Sequence, residues 1–410
     1  MAGRRRVSRA GPALTLSPVL ALFMVLAVLA GCGGRPAPDT ASADVRRLLA
    51  TRAAAVLDRD EPAYLTTAAT EAERDEARTE FESLRPLPLT SWSYRLTGLH
   101  RTGDRATAAA ELRYRLRGYD TAPVTAARAL RLTRADGRWY VTSDEPAEKT
   151  GEQLWEQGAV GVVRGEHSLV LGVGQTDRAL RRYATLADRA VPAVSGTWGT
   201  DWAGRVVVLV PRSLKGMAAL LGASASGYRG IAAVTTGEAG HSAAAPADRI
   251  IVNPEAYGVL GDVGRQVVLS HETTHVATRA HTTPATPLWL SEGYADWVGY
   301  RGTGRTAGQA APELEEAVRA GRVPDGLPDD DDFGFAGDAG RLARAYEGGW
   351  LACRMIADRW GETPLNAFYR AVGDHGKRSG AVEEALRDVL HTTPEAFTAQ
   401  WRDYLRASLH

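Results

Sequence analysis

The stretch VVLSHETTHVATR, Val267 to Arg279, decides how the rest of the chain is read. On an α-helix His271 and His275 stand one turn apart on the same face, so both imidazoles can reach one cation at about 2.0–2.1 Å. Val263 and Val267 continue that face upstream, which predicts that the stripe is buried against the domain. Glu272, one position on, is turned away from the two histidines yet stays within reach of a water on the same cation. That is the place of a general base.

Two histidines leave a ligand missing, and the segment Leu288-Trp289-Leu290-Ser291-Glu292-Gly293-Tyr294-Ala295-Asp296-Trp297 supplies a candidate. Glu292 lies seventeen residues after His275. A glutamate there, on a second helix, completes a two-histidine, one-carboxylate zinc site whose fourth position is open to water. Gly293 is expected to let this helix come close to the metal helix, with Trp289 and Trp297 packed behind the ligands.

With these residues in place the chain resembles the gluzincin metallopeptidases, especially the aminopeptidase-N-like branch, whose second motif reads roughly Trp-Leu-x-Glu-Gly-Phe-Ala. The resemblance implies one zinc ion on His271, His275 and Glu292, with Glu272 as base. It also implies that Asp296, four residues past the ligand glutamate, bonds a ligating histidine, by position His271. Such a carboxylate fixes the imidazole tautomer and raises its basicity. Further on, Arg344-Ala345-Tyr346-Glu347-Gly348-Gly349-Trp350 is similar to the family's Tyr-Glu-Lys-Gly segment, with Gly348 in place of the lysine. The tyrosine of that segment donates to the tetrahedral intermediate, a role that would fall to Tyr346. The branch's Gly-x-Met-Glu-Asn strand, whose glutamate grips a substrate amino group, has no counterpart in Ile250-Ile251-Val252-Asn253-Pro254-Glu255. Glu255 is either a substitute or the start of a turn or helix after the proline. The resemblance therefore implies a peptidase, not specifically an aminopeptidase, and spans about residues 165 to 405.

At the other end, Arg4, Arg5, Arg6 and Arg9 precede an apolar run from Ala13 to Ala30 that closes in Leu29-Ala30-Gly31-Cys32. This is the build of a secretory signal. Its last four residues resemble the bacterial lipobox, which implies a diacylated Cys32 and anchorage at the extracytoplasmic face of a bacterial cell membrane. The second cysteine, Cys353, lies in an apolar helical segment and reads as a buried small hydrophobe. Lysine plus arginine and aspartate plus glutamate number 49 each. That balance excludes a nucleic-acid partner bound through a general basic footprint.

Between the ends, an apolar face of Val45, Leu48, Leu49, Ala53 and Val56 predicts helix from Ala43 to about Ala72. Strands are then expected at Ser91–Leu96, Thr107–Leu116, Ala127–Thr133 and Trp139–Ser143, with Ala135-Asp136-Gly137 as a hairpin turn. Residues 144 to 165 read as a polar passage. Strands follow at Ser168–Gly172, Arg205–Val210, Gly230–Val234 and Arg249–Asn253, with helices at Thr176–Val191 and Ser213–Leu221, and helices alone follow the metal motif. The fold class is α+β: residues 1–31 a lipoprotein signal, 32–42 a tether, 43–145 an α+β module similar in element order to the nuclear-transport-factor-like cone, 146–165 a linker, and 166–410 the zinc metallopeptidase domain with a small mixed sheet, an active-site helix and a helical second lobe. His241 and His281 read as exposed loop histidines, and Asp329–Asp332 as a solvated acidic loop.

Together these expectations describe a lipid-anchored zinc metallopeptidase acting on a peptide or protein substrate. The alternatives are a non-catalytic binding or assembly lipoprotein on the same scaffold, and a zinc hydrolase of a non-peptide amide.

Overall fold

The computed structural model describes residues 40–237, 245–334 and 338–409. The signal segment, Cys32, the tether through Pro38 and His241 lie outside the described residues. Among the described residues no helix is long and apolar enough to cross a membrane.

The expected N-terminal helix is broken into three, α1 (Ala41–Asp58), α2 (Glu61–Leu65) and α3 (Glu71–Leu84). Local capping explains the breaks. Asp60 accepts from the Ala63 N–H at the start of α2, and Thr70 and Glu73 form a reciprocal capping box on α3. Four antiparallel strands follow in sequential order, β1 (Leu89–Thr102), β2 (Arg105–Leu116), β3 (Val124–Ala135) and β4 (Arg138–Pro146). Asp136 and Gly137 both have positive φ, 49° and 76°, the conformation a two-residue hairpin loop requires. Along β2 every second residue is buried, so the sheet has one face on a core and one in solvent.

The polar passage turns out to be structural. Leu154 and Trp155 are buried, and the ring of Trp155 lies 5.2 Å from Trp92 and 5.1 Å from Tyr114. An unexpected strand, β5 (Val160–Arg164), with valines at 160, 162 and 163, ends the passage. Arg128, 3% exposed at its side chain, pairs with Asp144 at 2.7 Å and with Glu156 at 2.6 Å. Asp120 accepts two hydrogen bonds from Arg249, both 2.9 Å. The Arg128 pairs tie β3 to β4 and to the turn at Glu156, and the Asp120–Arg249 pair links the connection between β2 and β3 to β9 of the second sheet.

The second sheet has the order β5-β6-β7-β9-β8, where β6 is Ser168–Val173, β7 Val206–Val210, β8 Ala233–Thr236 and β9 Arg249–Val252. Its three inner strands are parallel and its two edges antiparallel. Leu169, Val170, Val207, Val208 and Ile250 are fully buried, as expected of inner strands covered on both faces. Helix α4 (Asp177–Trp198) crosses from β6 to β7, and α5 (Leu214–Leu220) and α6 (Pro254–Gly258) are short connections.

From α7 (Asp262–Thr278) onward every element is helical: α8 (Leu288–Tyr300), α9 (Ala307–Ala310), α10 (Pro312–Arg319), α11 (Ala339–Trp360), α12 (Glu362–Asp374), α13 (Ala381–Val389) and α14 (Pro394–Ser408), with single turns between some of them. Their core contains Trp289, Leu290, Tyr294, Trp297, Cys353, Phe368, Phe397 and Trp401. The chain is therefore α+β, with two sheets and a helical C-terminal region. One expectation is corrected here. Gly293 serves the crossing of α8 with α11, because a Cβ on it would run into the Gly349 carbonyl, and a Cβ on Gly349 would lie 2.6 Å from the Trp289 carbonyl oxygen. The close approach of α8 to the metal helix is at Gly299, where a Cβ would sit 3.0 Å from the Val267 carbonyl oxygen.

Candidate metal centre

Helical periodicity puts His271 and His275 on one face of α7, and the same i, i+4 spacing puts Glu292 and Asp296 on one face of α8. Packing of the two helices brings the faces together. His271 Nε2 lies 3.0 Å from His275 Nε2 and 3.2 Å from Glu292 Oε2, and His275 Nε2 lies 3.3 Å from Glu292 Oε2. Val267 is buried as expected, whereas Val263, in the first turn of α7, is 39% exposed.

Whether these atoms fit a metal can be tested on their chemistry. His271 Nδ1 is 2.8 Å from Asp296 Oδ1. A neutral His271 with its proton on Nδ1, facing Asp296, turns the lone pair of Nε2 toward His275 Nε2 and Glu292 Oε2. Three potential ligand atoms at 3.0–3.3 Å then surround one point, the arrangement a single cation requires. A tetrahedral ion with ligands at about 2.0–2.1 Å has ligand-to-ligand edges of about 3.3 Å. The donor set fits zinc. The field agrees: burial opposes charge on His271, yet the carboxylates of Asp296, Glu292 and Glu272 carry its pKa well above the usual histidine range. Burial pushes the Glu292 carboxyl up, but His275 and His271 outweigh it and hold the group far below the carboxylate range. The site favours positive charge at its centre.

Glu272 is buried beside this triangle. Its Oε2 accepts a 2.7 Å hydrogen bond from Thr235 Oγ1 on β8. Thr235 lies just beyond the strand expected to end at Val234, and nothing in local spacing connects two residues 37 positions apart. Tyr346 on α11 stands with its ring 6.3 Å from that of His271 and 5.2 Å from that of Phe333. Burial, with Glu292, Asp296 and Glu272 nearby, raises its phenol pKa well above 10, so it stays a donor. A cavity of roughly 200 Å³ beside it is lined by Asp296, Tyr300, Tyr346 and Glu347 among others. Burial, reinforced by Glu313, lifts the Glu347 carboxyl to about 9, although it accepts from the Leu314 N–H at 2.6 Å at the start of α10.

The remaining candidates lie elsewhere. Glu255 opens α6 behind Asn253 and accepts from the Leu214 N–H at 3.0 Å, so it is a helix-start residue and does not reach the metal ligands as an amine grip. His281 is corrected from an exposed loop residue to a packed one. Its ring lies 5.7 Å from that of Trp198, with Asp201 at 3.5 Å and Asp374 at 3.7 Å. The acidic run is exposed but pinned: Asp330 accepts from the Leu288 N–H at 2.9 Å and pairs with Arg378 at 2.6 Å, which fixes the start of α8.

No family model matches the chain. No curated protein matches it either. Among solved structures, it is similar to native yeast LTA4 hydrolase at 12% identity, over 66% of this chain and 43% of that one, with a TM-score of 0.39. It is similar to a mutant M1 zinc metallopeptidase bound to a Tyr-Ser-Ala substrate, from Deinococcus radiodurans, at 13% identity over 78% of this chain and 61% of that one, with a TM-score of 0.32. The chain thus spans less than two thirds of either of these two chains. A variant of Rv3472, a protein of unknown function from Mycobacterium tuberculosis, is similar at 14% identity over 28% of this chain and 73% of that one, with a TM-score of 0.23.

Proposed function

We propose that the chain is a zinc-dependent metallopeptidase, held at the extracytoplasmic face of a bacterial cell membrane by lipid on Cys32. The observation that carries the activity is the convergence of His271 Nε2, His275 Nε2 and Glu292 Oε2 within 3.3 Å, with the buried Glu272 carboxylate beside them. Zinc held by those three side chains would polarise a peptide carbonyl and lower the pKa of a water. Glu272, oriented by Thr235, takes a proton from the attacking water and returns it to the amine nitrogen as the C–N bond breaks. Tyr346 keeps its proton and donates a hydrogen bond to the oxyanion of the tetrahedral intermediate. Asp296 holds the Nδ1 proton of His271, so that the other nitrogen remains a ligand.

The position of β8 supports an extended substrate. It is an edge strand whose described partner is β9 alone, and Thr235 on it reaches Glu272. A free strand edge offers backbone N–H and C=O groups to an added peptide. Anchorage rests on the lipobox-like Leu29-Ala30-Gly31-Cys32 and is tested by fatty-acid labelling, which Cys32→Ser must abolish.

The deciding experiment measures metal content and casein cleavage on the same preparations. The wild type should carry about one zinc per chain, and Glu272→Gln should retain the zinc while losing cleavage. Retained cleavage by Glu272→Gln would refute the mechanism. Full zinc occupancy with no turnover across a broad peptide library would instead make the chain a binding lipoprotein on a peptidase scaffold.

A further inference from the structure

A groove of roughly 1140 Å³ is lined by none of the candidate metal-site side chains. It runs between α4, the first half of α7 and the end of α8. Six arginines line it, Arg178, Arg181, Arg182, Arg189, Arg265 and Arg301, against a single aspartate, Asp262. The whole chain carries no net charge. A local excess of positive charge in a concave surface is thus a separation of charge that the balanced composition conceals.

Three of these arginines are held by carboxylates. Arg181 lies 3.7 Å from Asp177, Arg265 lies 3.8 Å from Asp262, and Arg301 pairs with Glu362 while stacking over Trp297 at 4.8 Å. The other three, Arg178, Arg182 and Arg189, form no ion pair among the described residues, and all three are exposed. They share one face of α4, about 6 Å and then about 10 Å apart along its axis. Tyr183 and Tyr257, with rings 5.0 Å apart, contribute to the groove wall beneath them. Planar guanidinium groups match phosphate oxygens in a forked geometry, and a concave basic wall concentrates their field.

We infer that this groove is a binding site for a ligand carrying two or more phosphate groups, separate from the zinc centre and independent of the peptidase reading. One phosphate would meet the row Arg178 and Arg182, and another Arg189. The phosphates could belong to a soluble phosphate ester or to the headgroups of anionic lipid; the chemistry recognised is the same, and experiment separates the sources.

The test is calorimetric titration of the purified, zinc-loaded chain with cyclic trimetaphosphate, a weak chelator. Saturable binding is expected, weakening as salt rises. The triple substitution Arg178→Gln, Arg182→Gln, Arg189→Gln should weaken it by roughly tenfold or more, with an unchanged melting temperature as the folding control. The matching triple lysine variant keeps the charge, so it should bind between the two; it carries the comparison if the glutamine variant does not fold. In parallel, co-sedimentation with vesicles of phosphatidylglycerol in phosphatidylcholine is compared with phosphatidylcholine alone, which subtracts any contribution of a lipid anchor. A phosphatidylglycerol-dependent excess that falls in the glutamine variant identifies lipid headgroups as the source, and its absence alongside trimetaphosphate binding identifies a soluble ester. No trimetaphosphate binding, or equal binding by wild type and the glutamine variant, overturns the inference.

Discussion

Thr235 Oγ1 donates a 2.7 Å hydrogen bond to Glu272 Oε2, tying the edge strand of the second sheet to the carboxylate beside the candidate metal ligands. A hydroxyl has one proton to give, and the carboxylate receives it in preference to the Glu272 carbonyl oxygen at 3.2 Å. Thr235→Val keeps the shape and removes the donor. It should lower the casein-cleavage rate by about tenfold with zinc content unchanged, while Thr235→Ser should keep most of the rate. Equal rates in the valine and wild-type proteins would show that the bond does not position the base.

The Asp296 contact makes a claim about the metal rather than the rate. Asp296→Asn should cut zinc affinity by about 10–100-fold, read by competition with a chromophoric chelator. An unchanged affinity would mean that His271 is held in place without it.

Tyr346→Phe removes a donor that matters only once charge develops on oxygen. Turnover should fall by about ten to a thousandfold with zinc retained; steady-state kinetics beside metal analysis separate the two effects.

Gly293 and Gly349 form the closest contact of α8 with α11. A methyl group at Gly293 forces backbone apart next to the ligand Glu292. Gly293→Ala should cost about 1–3 kcal/mol of stability and weaken zinc retention on dialysis. A melting temperature equal to wild type would contradict that packing.

Glu347 gives the chain a pH dependence with a definite sign. Its folded-state pKa, about 9, lies above the ordinary 4.5, so the folded chain binds more protons than the unfolded one between those values. The stability this group contributes is fully present below about pH 4.5 and is lost as pH rises through 9. Glu347→Gln mimics the protonated form. The melting temperature of the variant should match wild type near pH 4.5 and exceed it increasingly up to pH 9; a difference independent of pH would refute the assignment.

Much of the site was readable in one dimension. The pairs His271/His275 and Glu292/Asp296 each sit one turn apart, so a local repeat puts each pair on one helix face wherever the helices pack. Thr235, by contrast, joins Glu272 only because β8 pairs with β9 and lies against α7, a relation between distant segments that leaves no trace in spacing. The passage after β4 shows the same limit. Its apolar residues Leu154, Trp155 and Val160 are buried by partners in other elements, while the polar residues around them dominate its composition.

The sequence by itself therefore determined the α+β class, the candidate ligands and the candidate base, because helix period and motif spacing are local properties. Tertiary structure decided how α8 fits α11 through paired glycines, which strand steadies Glu272, what the buried carboxyl of Glu347 does, and how arginines of three helices gather in one groove. Each of those depends on long-range packing, where burial and juxtaposed charge arise from residues the chain brings together only on folding.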